Sequence, residues 1–260
     1  MAAINIHNRE NKKTLESTLK ADWNILSNNN HNLSEIPASP CGLIKNGALS
    51  EILPVSYRDR IAALGATMAF LSVILRENKG SVIWCQLRDT DRLHLHAPGL
   101  AAFGIDPKRI AKVTLPTERD LLWAMEEATT SKAVAAVAGV LWSEKLYGFT
   151  ASKRLRVRAS ETGIPVLLVR PHRANGASAA DMRFSAASHA SRAITAKERP
   201  FSRLGVPEWR LNLIKSRGMK PHSDHVRWYH EALHLGMATE LGNRMPQSPV
   251  MPVVQLQHAG

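Results

Sequence analysis

The stretch Gly47-Ala-Leu-Ser-Glu-Ile-Leu-Pro-Val-Ser-Tyr-Arg-Asp-Arg-Ile61 reads as a strand, a turn and the first residue of a helix. The largely apolar segment up to Pro54 suits a strand that a proline closes. Ser56 with Asp59 three residues on has the spacing of a capping box, in which side chains satisfy the free N–H groups of a helix start. Beyond it Ile61, Leu64, Met68, Leu71 and Leu75 recur at helical spacing and predict one apolar helix face.

Outward from this unit the same alternation repeats. Val82–Leu87 is apolar without period-two alternation, the pattern of a strand covered on both faces. A short helix over Pro98–Phe103, stopped by Gly104, leads to a strand over Arg109–Thr114. Thr117 and Asp120 repeat the capping box before a helix through Ala128, and Ala133–Trp142 is a wholly apolar strand. A helix from about Thr150 to Thr162 ends at Gly163, and Ile164–Val169 returns as a strand. Strands alternating with helices at this spacing define an α/β fold with a mostly parallel sheet flanked by helices. After Pro171 short alternating runs at Met182, Trp209 and Val226 predict an antiparallel C-terminal extension at the sheet edge. The expected organisation is a flexible polar arm over 1–40, a core with its β extension over 41–230, and a largely irregular tail over 231–260.

In P-loop enzymes a strand enters a glycine-rich turn whose N–H groups and lysine hold phosphates, while a Ser or Thr holds magnesium. Here the corresponding turn is Pro54-Val-Ser-Tyr-Arg-Asp-Arg60, with no glycine and no Gly-Lys-Thr. The strand Ala136–Leu141, where a metal-binding carboxylate would follow, also ends without one. ATP hydrolysis is not expected. Arg58 and Arg60 could draw an anion, although solvated arginines are the plainer reading.

The blocks Gly47-Ala-Leu-Ser-Glu-Ile52, Ala97-Pro-Gly-Leu-Ala-Ala-Phe-Gly-Ile-Asp-Pro107, Asp120-Leu-Leu-Trp-Ala-Met-Glu-Glu127 and Ser152-Lys-Arg-Leu155 resemble the ImuA family. Trp209-Arg-Leu-Asn-Leu213 and Lys215-Ser-Arg-Gly218 fit the same pattern. The resemblance implies a RecA-like fold that has lost its nucleotide motifs, a non-catalytic accessory role in SOS-induced error-prone translesion synthesis, and no cofactor. It also implies two partners: an inactive Y-family polymerase homologue of the ImuB type and an error-prone replicative-type DNA polymerase. RecA and DNA are further candidate partners. The sequence departs from the family at Ser152-Lys-Arg-Leu-Arg-Val-Arg158, where two adjacent arginines are expected, and at Trp142 and Tyr147, which suggests a different partner-facing surface.

Charge points the same way. Thirty-four Lys and Arg against 22 Asp and Glu leave +12, a balance that favours acidic or polyanionic partners. Lys153, Arg154 and Arg158 form a stripe on one predicted helix, with Leu155 and Ala159 turned inward. Arg199, Arg203, Lys215, Arg217 and Lys220 form a second basic group, with Trp209 and Trp228 as either surface stacking platforms or core. These eight basic residues are the candidate DNA or partner contacts. No catalytic, cofactor-binding or metal residue is assigned.

Other signals carry less. His230-Glu231-Ala-Leu-His234 matches H-E-x-x-H, but position 237 is Met and position 240 is Glu, so no third ligand follows. A zinc hydrolase is thus a remote alternative, behind a residual nucleotide-binding enzyme. His94, His96, His172, His189, His222 and His225 read as surface residues. Two cysteines in no redox spacing and the lack of an apolar leader or a 20-residue apolar run point to a cytoplasmic protein without a membrane span. Cys85, inside an apolar strand, reads as a buried thiol.

Overall fold

The computed structural model describes residues 44–88, 95–142, 144–191, 206–217, 219–229 and 234–237. The opening stretch folds as β1 (Leu49–Pro54), one turn of 3-10 helix at Tyr57–Asp59, and α1 (Arg60–Glu77). There follow β2 (Ser81–Leu87), α2 (Ala97–Ala102), β3 (Ile110–Leu115), α3 (Glu118–Ala128), β4 (Val134–Val140), α4 (Phe149–Thr162) and β5 (Val166–Val169). β6 (Met182–His189), β7 (Glu208–Ser216), β8 (His222–Tyr229) and β9 (His234–Met237) complete a nine-stranded sheet in the order β3-β2-β4-β5-β1-β6-β7-β8-β9.

Strands β1 to β5 are joined in parallel, and β6 is parallel to β1 as well. The antiparallel part therefore begins only with β7, one strand later than the sequence alternation suggested. β6 alternates like an edge strand because one of its faces carries polar residues, not because it lies at an edge. The sheet also runs on to Met237, past the expected core boundary at 230. The proposed arm over 1–40 lies outside the described residues, as does Cys41.

The sequence builds two cores on the two sheet faces. Ile52, Trp84, Ala136 and Phe184 meet α1 and α2 on one side. Leu49, Val137 and Leu168 meet α3 and α4, including Leu155 of α4, on the other. Successive strand residues face opposite sides, so uninterrupted apolar runs such as β4 and β5 feed both cores at once. Cys85 is fully buried, and burial pushes its thiol up to about 12, so it behaves as an apolar side chain.

α1 differs from the single-faced helix its spacing predicts. Ala62, Ala66, Phe70 and Ile74 are buried together with Met68, Leu71 and Leu75, whereas Ile61 is 60% exposed. The reason is tertiary: the sheet covers one side and residues of the C-terminal strands cover another. Trp209 of β7 lies against Gly65, and a Cβ added at Gly65 would stand 2.6 Å from the indole ring. Gly65→Ala is expected to destabilise the protein by about 1–2 kcal/mol, because overpacking outweighs the roughly 1 kcal/mol helix-propensity gain of alanine. Urea unfolding would check this, and a more stable variant would refute the packing argument.

Candidate functional site

Three features sit around the C-terminal ends of the parallel strands, where open α/β sheets place their ligands. The first is the turn after β1. Asp59 Oδ2 accepts hydrogen bonds from the Ser56 amide at 3.1 Å and the Ser56 hydroxyl at 2.6 Å, while Oδ1 accepts from the Ser188 amide at 2.8 Å. Burial raises the Asp59 carboxyl, but the bonds from Ser56 and Ser188 outweigh it and hold the acid below its ordinary value. An internal carboxylate thus occupies one amide of the turn and one of β6. The Arg60 guanidinium lies 3.7 Å over the Tyr57 ring, and its Nε donates to the Tyr57 carbonyl at 3.3 Å. Arg60, read from sequence as solvated or anion-binding, is engaged with its own turn. Arg58 is exposed.

The second feature is a charged network beneath that turn. Glu51 of β1 is fully buried and receives Arg170 Nη1 at 2.9 Å, Arg183 Nε at 2.7 Å and the Tyr147 hydroxyl at 2.7 Å. Arg170 also donates to both oxygens of Glu144, at 2.9 and 2.6 Å. Glu118 at the start of α3 positions the loop, since its carboxylate accepts the amides of Lys145, Leu146 and Tyr147 at 2.8, 2.9 and 2.8 Å. Desolvation pushes Glu51 up, yet Arg170, Tyr147 and Arg183 together keep it below its ordinary 4.5. Tyr147 is pushed well above 10.0, first by burial and then by the charge of Glu51.

Tyr147 reads from sequence as part of a partner-facing surface, and Arg170 directly follows the apolar strand Val166–Val169. Both are buried, because strand order puts β5 beside β1 and the β4–α4 loop over them. No local sequence signal reveals this network. The nearest clue was a lone glutamate inside the apolar strand Leu49–Leu53.

The third feature is an apolar cavity of about 410 Å³ between α1, α2 and the ends of β2 and β4. Ile61, Met68, Trp84, Leu100, Trp142 and Trp209 are among its lining residues. Trp142 thus faces this groove, with Arg60 at 5.3 Å from its ring.

The basic candidates divide. Lys153, Arg154 and Arg158 are exposed on α4 with Leu155 and Ala159 buried beneath, as the helical spacing requires. Arg154 is tied to Glu126 of α3 at 3.0 Å. Arg156 turns to Asp181 at 2.8 Å, and Arg217 reaches the same carboxylate at 3.3 Å. The end of β7 and Arg156 of α4 therefore meet around one aspartate. Lys215 is half-buried and donates to the Ser178 carbonyl at 2.8 Å; burial, with Arg183 nearby, lowers its pKa. Lys220 is exposed, while Arg199 and Arg203 lie outside the described residues. Trp209 and Trp228 are buried core residues at 6% and 0% exposure, so neither is a stacking platform.

His234 opens strand β9, paired with Tyr229, so the H-E-x-x-H spacing does not place it on a helix. His230 and Glu231 lie outside the described residues. No helix among the described residues is long and apolar enough to cross a membrane.

The mostly parallel sheet, helices on both faces and the antiparallel strands β7 to β9 define an α/β protein consistent with a RecA-like fold. No family model matches the chain. It is similar to Protein ImuA from two strains of Caulobacter vibrioides, each 28% identical over 192 residues that span 70% of this chain and 75% of the relative. The resemblance to the ImuA family carried by the sequence blocks therefore stands.

Proposed function

We propose that this protein is a non-catalytic RecA-like accessory factor in damage-inducible mutagenesis. In this reading it works in error-prone translesion synthesis by binding an inactive Y-family polymerase homologue and an error-prone replicative-type polymerase. The observation that carries the reading is Asp59, whose carboxylate holds the Ser56 and Ser188 amides at the end of β1. A phosphate brought to that turn would meet a fixed negative charge and amides already bonded. Resemblance to the ImuA family supplies the biological setting and the partners. The apolar groove beside the turn supplies a surface suited to a protein segment, with Ile61 exposed at its side.

The test pairs a nucleotide assay with a binding assay. The full chain is expected to show no ATP turnover above background and no thermal shift with Mg–ATP. It is expected to co-elute with the polymerase homologue, and Ile61→Asp should weaken that complex by about tenfold or more, as loss of an apolar interface contact does. Turnover or a shift removed by Arg58→Ala would favour a residual nucleotide enzyme. Failure of the intact chain to bind the homologue would remove the adaptor reading. A parallel titration with single-stranded DNA across a salt series assigns the α4 stripe: a steep slope reduced by Arg158→Ala assigns it to phosphate contact.

A further inference from the structure

On the sheet face opposite Trp209, three donors from three neighbouring strands converge. His189 is the last residue of β6 and pairs in register with Glu208, the first residue of β7. On β8, Arg227 pairs with Glu208 and His225 with Arg210, so His225 is the diagonal neighbour of Glu208 on the same face. His225 Nε2 lies 2.9 Å from Glu208 Oε2, and His189 Nδ1 lies 4.0 Å from the same oxygen. The two imidazole centroids are 3.9 Å apart.

Glu208 is nearly inaccessible, with 3% of its side chain exposed, and Arg227 grips its other oxygen at 2.8 Å through Nε and 2.7 Å through Nη2. That grip fixes the carboxylate and leaves Oε2 turned toward the imidazoles, the orienting role that outer partners play around metal ligands. His225 Nε2 is buried and, despite its 2.9 Å approach, makes no hydrogen bond of proper geometry. A buried ring nitrogen without a hydrogen bond is costly unless something else satisfies it.

We propose that His189, Glu208 and His225 bind a divalent transition-metal ion, zinc foremost. All three donor atoms lie within 4.8 Å of one another. A tetrahedral zinc with nitrogen and oxygen donors at about 2.0–2.2 Å sets its ligands roughly 3.3 Å apart. Glu208 and His225 already stand near that separation. His189, 45% exposed, closes the rest by a side-chain rotation that gives up its 3.1 Å contact with the Ala190 carbonyl. Two imidazoles and a carboxylate favour zinc-like ions over calcium or magnesium, which take oxygen donors. Three protein ligands leave a fourth position for water. Because His189 ends β6 and Glu208 begins β7, the ion would clamp the two ends of the 190–207 connection. This assignment stands apart from the proposed adaptor role.

The test uses the full chain, stripped with a chelator and titrated with zinc against a chromophoric competitor, with cobalt as a spectroscopic probe. The expected result is about one ion per chain and a tetrahedral cobalt spectrum. His189→Ala and His225→Ala should each weaken binding by about tenfold or more and abolish the cobalt bands, while His222→Ala should leave both intact. His189 is partly exposed, so its variant keeps the fold and decides the matter if His225→Ala does not fold. Absence of binding at micromolar zinc overturns the site. Binding that His189→Ala leaves unchanged overturns it too, and assigns the metal to other histidines.

Discussion

Replacing Arg170 with methionine is expected to lower stability by about 3 kcal/mol, and the melting temperature by about 6–12 °C, although methionine fills much of the same buried space. Arg170 is among the largest fully buried side chains and is the one that joins Glu51 to Glu144. Removing it leaves Glu51 with Arg183, Tyr147 and Ser178, and Glu144 without its bidentate partner. Breaking one member of a buried ion network typically costs about 3–5 kcal/mol, since the remaining charge stays desolvated. The lower end applies because Arg183 and the Tyr147 hydroxyl still hold Glu51. Chemical denaturation would measure it, and a loss below about 1 kcal/mol would show that the network contributes little.

The same network gives a pH dependence with a definite sign. Glu51 is held below its ordinary 4.5 in the folded protein, so the unfolded chain binds the proton more readily. Its stabilising contribution is complete above the unfolded carboxylate value and is lost as pH falls through the lower folded value. Glu51→Gln should therefore flatten the acid limb of the stability profile. An acid limb as steep as that of the wild type would place the dominant titration elsewhere.

Trp228→Ala carries the other large effect, expected at about 3–5 kcal/mol. Trp228 is wholly buried; its indole Nε1 donates to the Ala102 carbonyl at 3.0 Å, and its ring lies 5.0 Å from that of Phe103. The residue thus ties β8 to the end of α2, more than a hundred positions earlier in the chain. Its loss should free α2 and the adjoining groove, so limited proteolysis near 97–103 should accelerate along with the drop in unfolding midpoint. A variant that unfolds like the wild type would mean that the C-terminal strands are an appendage and not part of the core.

The alternation of β-type and α-type runs, the capping box at Ser56, the N-cap at Thr117 and Gly163 as a helix stop were all legible, because each depends on neighbours within a few positions. The lack of a phosphate loop was legible for the same reason. So was the α4 stripe, where helical spacing alone puts Leu155 inward and Arg158 outward.

What local spacing could not decide was which side chains meet across the sheet. The order β4-β5-β1-β6-β7 brings Glu51 beside Arg170 and Arg183, though 119 and 132 positions separate them. It buries Arg170 and covers α1 on sides that its period leaves open. It also turns His189 and His225, surface histidines by their setting, toward Glu208. Backbone sterics and short-range hydrogen bonding set the elements and the glycine-free turn at Pro54–Arg60, so both can be read from residues close together in the chain. The assembled sheet brings Ser188 to Asp59 in that turn, buries Glu51 and Arg170, and sets three donors on one face. Each of these depends on non-local strand pairing, which fixes long-range neighbours that no window of sequence contains.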